Sequence, residues 1–407
     1  MNIELTVTPR DPIISRDGRP SRIGLRARSL DWIYPSVFAG SLRTLLGKKC
    51  TLDFSDNNDI QSLKKIEIVG PLPSYNNTLY FPKPLDCVVK EKEENPNNED
   101  SGYAYAARPE RYSEGEGCDM PQGLLPVTLP EIEEFKPKKT AAFWSYDKMI
   151  NWLAKSTVFE EEFSDSDKKS DSDNKEGTLA APEQEERIHV SIEPNQGIAK
   201  DGMLFSSTGL DFTWTDDDKE NHDKSEVIRL VAEVNAGAEF GKALDDLHPL
   251  GGERRLVHWK SEVVTNRLSA NVPSELDQLK DVKYVRMVLA TPAIFSGGWL
   301  PGWIDNTTLE GTVPRTNITL KLHGAIVERW RPISGWSYET GQPKAVRRLV
   351  PAGSIYFFEL TEGTWSGLLN AAWMRNMCDE TQDNNDGFGL ALWGIWNFNG
   401  KENNISK

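Results

Sequence analysis

Apolar and polar positions alternate at the start of the chain, where Ile3, Leu5 and Val7 face one way, the period of a half-buried strand. A loop over 10–34 follows. Phe38, Leu42, Leu45 and Leu46 then make one apolar stripe, which predicts a helix over 36–47. Ser36 is placed to cap this helix and Gly47 to stop it. Residues 65–69 (KIEIV) read as the next strand, the polar stretch 90–120 as a long mobile loop, and 140–155 as a helix. Residues 189–212 have the pattern of a long hairpin with its tip at 194–202, and 227–237 that of a well-buried strand. Residues 242–259 read as a helix with a glycine-arginine turn. A second unit opens near 280 with strands inside 281–295, 318–330 and 354–360. A helix over 364–376 and a closing strand over 387–396 complete it. The economical architecture is α+β: two ferredoxin-like (RRM-like) βαββαβ domains, 1–275 and 276–407, with long loop insertions and a glycine-rich C-terminal strand.

Charge changes this picture locally. The net charge of −15 argues against a nucleic-acid partner until its distribution is followed. Residues 160–186 carry −8 and residues 216–226 carry −4, so these two insertions hold most of the acidity. Both read as disordered, and the remaining body is close to neutral. Against that body, residues 10–28 hold six arginines and only Asp11 and Asp17. Arg16, Arg19 and Arg22 are candidate phosphate contacts, with Arg26 and Arg28 beside them, and Gly18 permits close backbone approach. The loop feeds the helix start at Ser36, and Gly40 and Arg43 lie opposite the leucine stripe. Gly251, Gly252, Arg254 and Arg255 repeat the pairing of flexible backbone with guanidinium groups. Between Lys321 and Arg348, six basic residues face only Glu328 and Glu339, with Trp330 and Trp336 interleaved where bases could stack.

Catalytic patterns are scarce. The five histidines, His189, His222, His248, His258 and His323, have no metal-ligand spacing, and neither a nucleophile elbow nor a phosphate-binding P-loop occurs. Asp216, Asp217 and Asp218 sit in a charge run that reads as solvated. His189 and His323 are either half-buried and satisfied by neighbours or a base for RNA cleavage, and no acid–base pair is visible. No catalytic residue, metal or cofactor is therefore expected. Cys50, Cys87, Cys118 and Cys378 are far apart, which fits free thiols in a reducing compartment. With no leader and no long apolar run, a cytoplasmic protein without a membrane segment is expected.

In order, R-D-G-R-P (16–20), PSVFAGSLRTLLG (35–47), L-G-G-E-R-R (250–255), VPAGSIYFFEL (350–360) and GFGLALWG (387–394) resemble the third subunit of the Cmr module, the type III-B CRISPR effector complex of the RAMP superfamily. The resemblance implies ferredoxin-like domains and a non-catalytic subunit in antiviral defence. Such a subunit grips the 5′ repeat-derived tag of the crRNA and docks the large polymerase-like subunit beside a backbone RAMP subunit. Carried onto this chain, residues 16–20, Gly40 and Arg43 would hold tag phosphates, with Gly251, Gly252, Arg254 and Arg255 beside them. Gly387 and Gly389 would lie near the same cleft. The hairpin resembles the thumb of RAMP proteins, with Lys200 as the cation of its tip. A RAMP-type crRNA-processing endoribonuclease and a protein-only scaffold are the alternatives.

Overall fold

In the computed structural model, strand β1 (Asn2–Pro9), helix α1 (Pro35–Lys49) and strands β2 (Glu67–Tyr75), β3 (Arg229–Asn235) and β4 (Leu256–Glu262) build the first unit. The model describes residues 2–16, 30–91, 101–112, 114–129, 134–155, 161–164, 177–214, 226–237, 240, 243–262, 268, 271–337 and 340–398. The four strands lie in the order β4-β1-β3-β2, every neighbouring pair antiparallel. Outer strands, Asp245–Pro249 beyond β4 and three more beyond β2, extend the sheet to eight. Leu5 and Val7 are buried as their alternation requires, and α1 lays Phe38 against the Trp259 ring of β4, 5.0 Å between centroids.

The second unit holds strands β5 (Tyr284–Leu289), β6 (Thr319–Ile326), β7 (Ile355–Glu362) and β8 (Leu390–Ile395), with helix α2 (Trp365–Ala372) between β7 and β8. Their order is β6-β7-β5-β8, again antiparallel, within a six-stranded sheet. The architecture is thus mixed α+β and rich in strands. Each half has a helix in one of its strand connections. The first keeps the helix between β1 and β2, and the second keeps the helix between β7 and β8. Among the described residues, the connections from β3 to β4 and from β5 to β6 contain no α-helix.

The halves share a hydrophobic core, which Phe81 and Trp152 enter from the first and Val285 and Trp393 from the second, and within it lies a buried charge cluster. Asp86, fully buried, accepts from Arg108 (2.5 Å) and Trp152 Nε1 (2.8 Å) in its own half and from Arg286 of β5 (2.8 Å) in the other. Burial first, and then the charge of Arg108, lowers the Arg286 pKa, while Asp86 opposes the shift. One carboxylate therefore holds two buried guanidinium groups, and its removal would leave both uncompensated.

Several elements differ from the sequence expectations. Helix α1 runs from Pro35 to Lys49 with Tyr34 at the N-cap position, so Ser36 lies inside the first turn and caps nothing. Proline at N1 presets the backbone for the helix, and its missing N–H is one that would have no intrahelical partner. Gly47 does not stop the helix; a Cβ there would press on Phe54 and Leu63, and the helix continues over that contact. The segment 90–120 is not one loop, because Ser101–Ala106 pairs with Cys87–Glu91; residues 92–100 lie outside the described residues. Residues 140–155 divide into a strand, Phe143–Ser145, and a helix, Tyr146–Leu153, whose Lys148 N–H is capped by Ser145 Oγ. The segment 242–259 is a hairpin of Asp245–Pro249 with β4, since Val257 and Trp259 alternate with exposed Leu256 and half-buried His258 at a strand period. In the acidic stretches, 161–164, 178–179 and 183–186 are strand, while 165–176 and 215–225 lie outside the described residues. The helices Asn57–Lys64 and Thr381–Asp386 have no sequence forecast.

Candidate nucleic-acid interface

Three segments meet at one corner of the first unit. After β1, the chain bridges Ile13 to Leu210 and Ile14 to Gly252, and the Gly252 N–H donates to the Ile14 carbonyl at 2.7 Å. Gly251 has φ +77°, and a Cβ there would collide with the Ile14 carbonyl oxygen, so the glycine allows the turn to lie against this strand. Ser41 Oγ of α1 donates to the Pro249 carbonyl at 2.5 Å and ties the helix to the same turn.

On this frame, Glu253 and Arg254 both have positive φ, +56° and +54°, an unusual pair of non-glycine residues in the left-handed region. Glu253 accepts from Arg16 (3.2 Å) and Arg255 (3.3 Å). Arg254 is exposed and has no carboxylate partner among the described residues. Gly40 faces outward on α1 with nothing within 4 Å of where its Cβ would be. Glycine in a helix interior costs about 1 kcal/mol against alanine, and no contact within the described fold requires it here. Gly18, Arg19 and Arg22 lie outside the described residues. Both ends of their segment are pinned at this corner, where the Leu30 N–H donates to the Ser15 carbonyl at 2.7 Å.

The other sequence candidates sit elsewhere. Arg43 turns inward, bonding the Asp386 carboxylate and donating to the carbonyls of Ile66 (2.9 Å) and Asn385 (3.1 Å). Its side chain is 11% exposed, which makes it a strut between α1, the start of β2 and the helix Thr381–Asp386, not an open phosphate contact. Gly387 and Gly389 are buried. A Cβ on Gly387 would strike the Gly70 carbonyl oxygen, and one on Gly389 would lie 2.8 Å from Cys378 Sγ. Their positive φ values, +100° and +73°, serve close packing, of Gly387 across the two halves and of Gly389 against Cys378 within its own. That correction moves Arg43, Gly387 and Gly389 away from an exposed cleft.

The hairpin pairs Glu183–Ile192 with Ala199–Asp211. Lys200, near its tip, is 4.0 Å from Glu193. Ile188, Val190 and Ile192 of one strand and Leu204 of the other are exposed. His189 stacks on Phe205 with 5.2 Å between centroids and bonds Ser207 at 2.8 Å. His323 sits beside the Tyr284, Trp396 and Phe398 rings with Glu359 at 3.0 Å, and burial pushes its pKa down while Glu359 opposes this. No described helix is long and apolar enough to cross a membrane.

A family model described as CRISPR-associated protein (Cas_Cmr3) matches residues 5–396. The chain belongs to this family of CRISPR-associated proteins. Among solved structures it is similar to a chain of the type III-B Cmr-beta complex bound to cognate target RNA and AMPPnP, at 16% identity and a TM-score of 0.47, with 87% of this chain and 86% of that chain covered. It is also similar to a chain of the type III-A Csm3-Csm4 subcomplex, at 11% identity and a TM-score of 0.34, with 90% and 97% covered. Both scores lie below 0.5, and family membership rests on the family model. No curated protein sequence matches the chain.

Proposed function

We propose that this subunit binds RNA without cutting it, gripping the 5′ tag of the crRNA at the corner formed by Gly40, the 250–255 turn and the base of the arginine loop. The observation that carries the reading is the open corner where Ser41 of α1 is tied to Pro249 at the start of the turn: Gly40 leaves free space on the helix, and Arg254 of the turn has no carboxylate partner among the described residues, which suits a phosphodiester backbone passing close to α1. The two four-stranded arrangements have the strand order of ferredoxin-like units, each with one helix replaced, which suits membership of the RAMP superfamily. The similar solved Cmr-beta complex is bound to cognate target RNA. In this reading the chain is a subunit of a type III-B Cmr complex and docks the large polymerase-like subunit beside a backbone RAMP subunit. Support for a non-catalytic role comes from His323, which is enclosed by rings and a carboxylate, and from His189, which is stacked and hydrogen-bonded within its hairpin.

The test is binding of purified chain to crRNA with and without its 5′ tag, with metal-free incubation to detect cleavage. Tighter binding of the tagged RNA, which stays intact, is expected. Equal affinity for both RNAs would remove the tag assignment, and cleavage lost in His323→Ala would establish the endoribonuclease reading.

A further inference from the structure

A separate cleft of ≈ 570 Å³ opens between residues 120–127 and the second half of the chain, within the range of about 300–1,000 Å³ typical of small-ligand sites. Met120 and Leu124 wall one side, and Trp299, Trp330, Arg329 and Arg348 contribute to the rest. Trp330 is 46% exposed and Trp299 37%.

Both rings stand on fixed supports. Trp299 lies in a tight turn closed by bridges from Phe295 to Gly298 and from Gly297 to Leu300, and the Tyr356 hydroxyl donates to its carbonyl. Trp330 precedes the strand Arg331–Ile333, which pairs with Arg347–Leu349 and is rooted by buried Ile333 and Leu349. Consecutive residues of that second strand divide their roles. Arg347 reaches Asp383 at 2.7 and 2.8 Å, whereas Arg348 places its guanidinium 4.8 Å from the centre of the Trp330 ring. Arg329 and Arg348 are exposed and have no carboxylate partner among the described residues. Gly298, at φ +79° with nothing within 4 Å of its Cβ position, keeps the rim beside Trp299 low.

We infer that this cleft holds an unpaired nucleotide of single-stranded RNA, its base on Trp330 and Trp299 and its phosphate on Arg348 and Arg329. Aromatic faces next to uncompensated cations match both parts of a nucleotide, whereas an apolar peptide would leave the cations unanswered. A strand is favoured over a free nucleotide by continuity. Glu328 lines both this cleft and a smaller one of ≈ 210 Å³ that reaches Tyr34 and Pro35 at the start of α1. The lining contains no asparagine, glutamine, serine or threonine to read base edges, so stacking here is tolerant of sequence. The inference rests on the RNA-binding reading above.

The experiment titrates the full chain with a short fluorescent single-stranded RNA at several salt concentrations. Trp330→Ala and Trp299→Ala should each weaken binding about 5- to 140-fold, with an unchanged salt slope because no cation is lost. Trp330→Phe should retain most of the affinity, and RNA carrying 4-thiouridine should crosslink to peptides containing residue 299 or 330. If the wild type binds and both alanine variants bind within twofold of it, the stacking site is wrong. A wild type that binds no RNA overturns the underlying reading instead. Adenosine monophosphate competing at the same concentration as the oligonucleotide would overturn the strand in favour of a free nucleotide.

Discussion

Two corners of this molecule use the same ingredients, glycines and arginines, and put them to opposite ends. Around Gly387 the space beyond the glycine is filled by the Gly70 carbonyl, and Arg43 is consumed by Asp386 and backbone oxygens. Around Gly40 the space is empty, and in the turn tied to the same helix Arg254 is exposed with no carboxylate partner among the described residues. Residue type therefore does not distinguish a packing device from a ligand site. What separates them is whether the protein itself answers the glycine's gap and the arginine's charge.

The sharpest way to break this contrast is Arg43→Ala, which leaves Asp386 without its cation and should lower unfolding free energy by about 3 kcal/mol. In urea denaturation a loss below about 1 kcal/mol would contradict the strut. Its RNA affinity per folded molecule should stay within twofold. Next comes Gly387→Ala, where a positive φ and a backbone collision should together cost about 2 kcal/mol, again without loss of RNA affinity. Gly40→Ala should have the opposite profile. The helix gains about 1 kcal/mol while RNA binding weakens, a gain in stability with a loss of function that a packing glycine would not give.

The smallest effect concerns pH in the closed corner. Burial raises the Asp383 carboxyl above its ordinary 3.8, although Arg347 partly offsets this. The folded state thus holds this proton more tightly than the unfolded chain. The contribution is present below pH 3.8 and is lost as pH rises through the higher folded value. The stability difference between wild type and Asp383→Asn should therefore shrink for the wild type from pH 4 upward, and a flat difference would show that the carboxyl is not desolvated.

How much of this contrast is legible in the sequence follows from its range. The opening strand, α1 and the arginine-rich approach to it are readable because their signals lie within a few residues of one another. The turn at 250–255 is visible as a motif, but its docking on Ile14 is not, and the flanking hairpin resembles a helix until β1 supplies a partner for Val257 and Trp259. The closed corner is invisible because Arg43 and Asp386 are 343 residues apart and Gly387 meets Gly70. An arginine's solvent exposure is a tertiary fact. Trp299 is likewise unmarked in the sequence, since only folding brings its turn beside Trp330.

The most direct test of the open-corner claim is the salt dependence of tagged crRNA binding in Arg254→Ala compared with Arg43→Ala. Arg254→Ala should reduce the slope of log K against log salt by about 0.7, the loss of one phosphate contact on a single strand, while Arg43→Ala leaves the slope at the wild-type value. A slope unchanged in Arg254→Ala and reduced in Arg43→Ala would contradict the account.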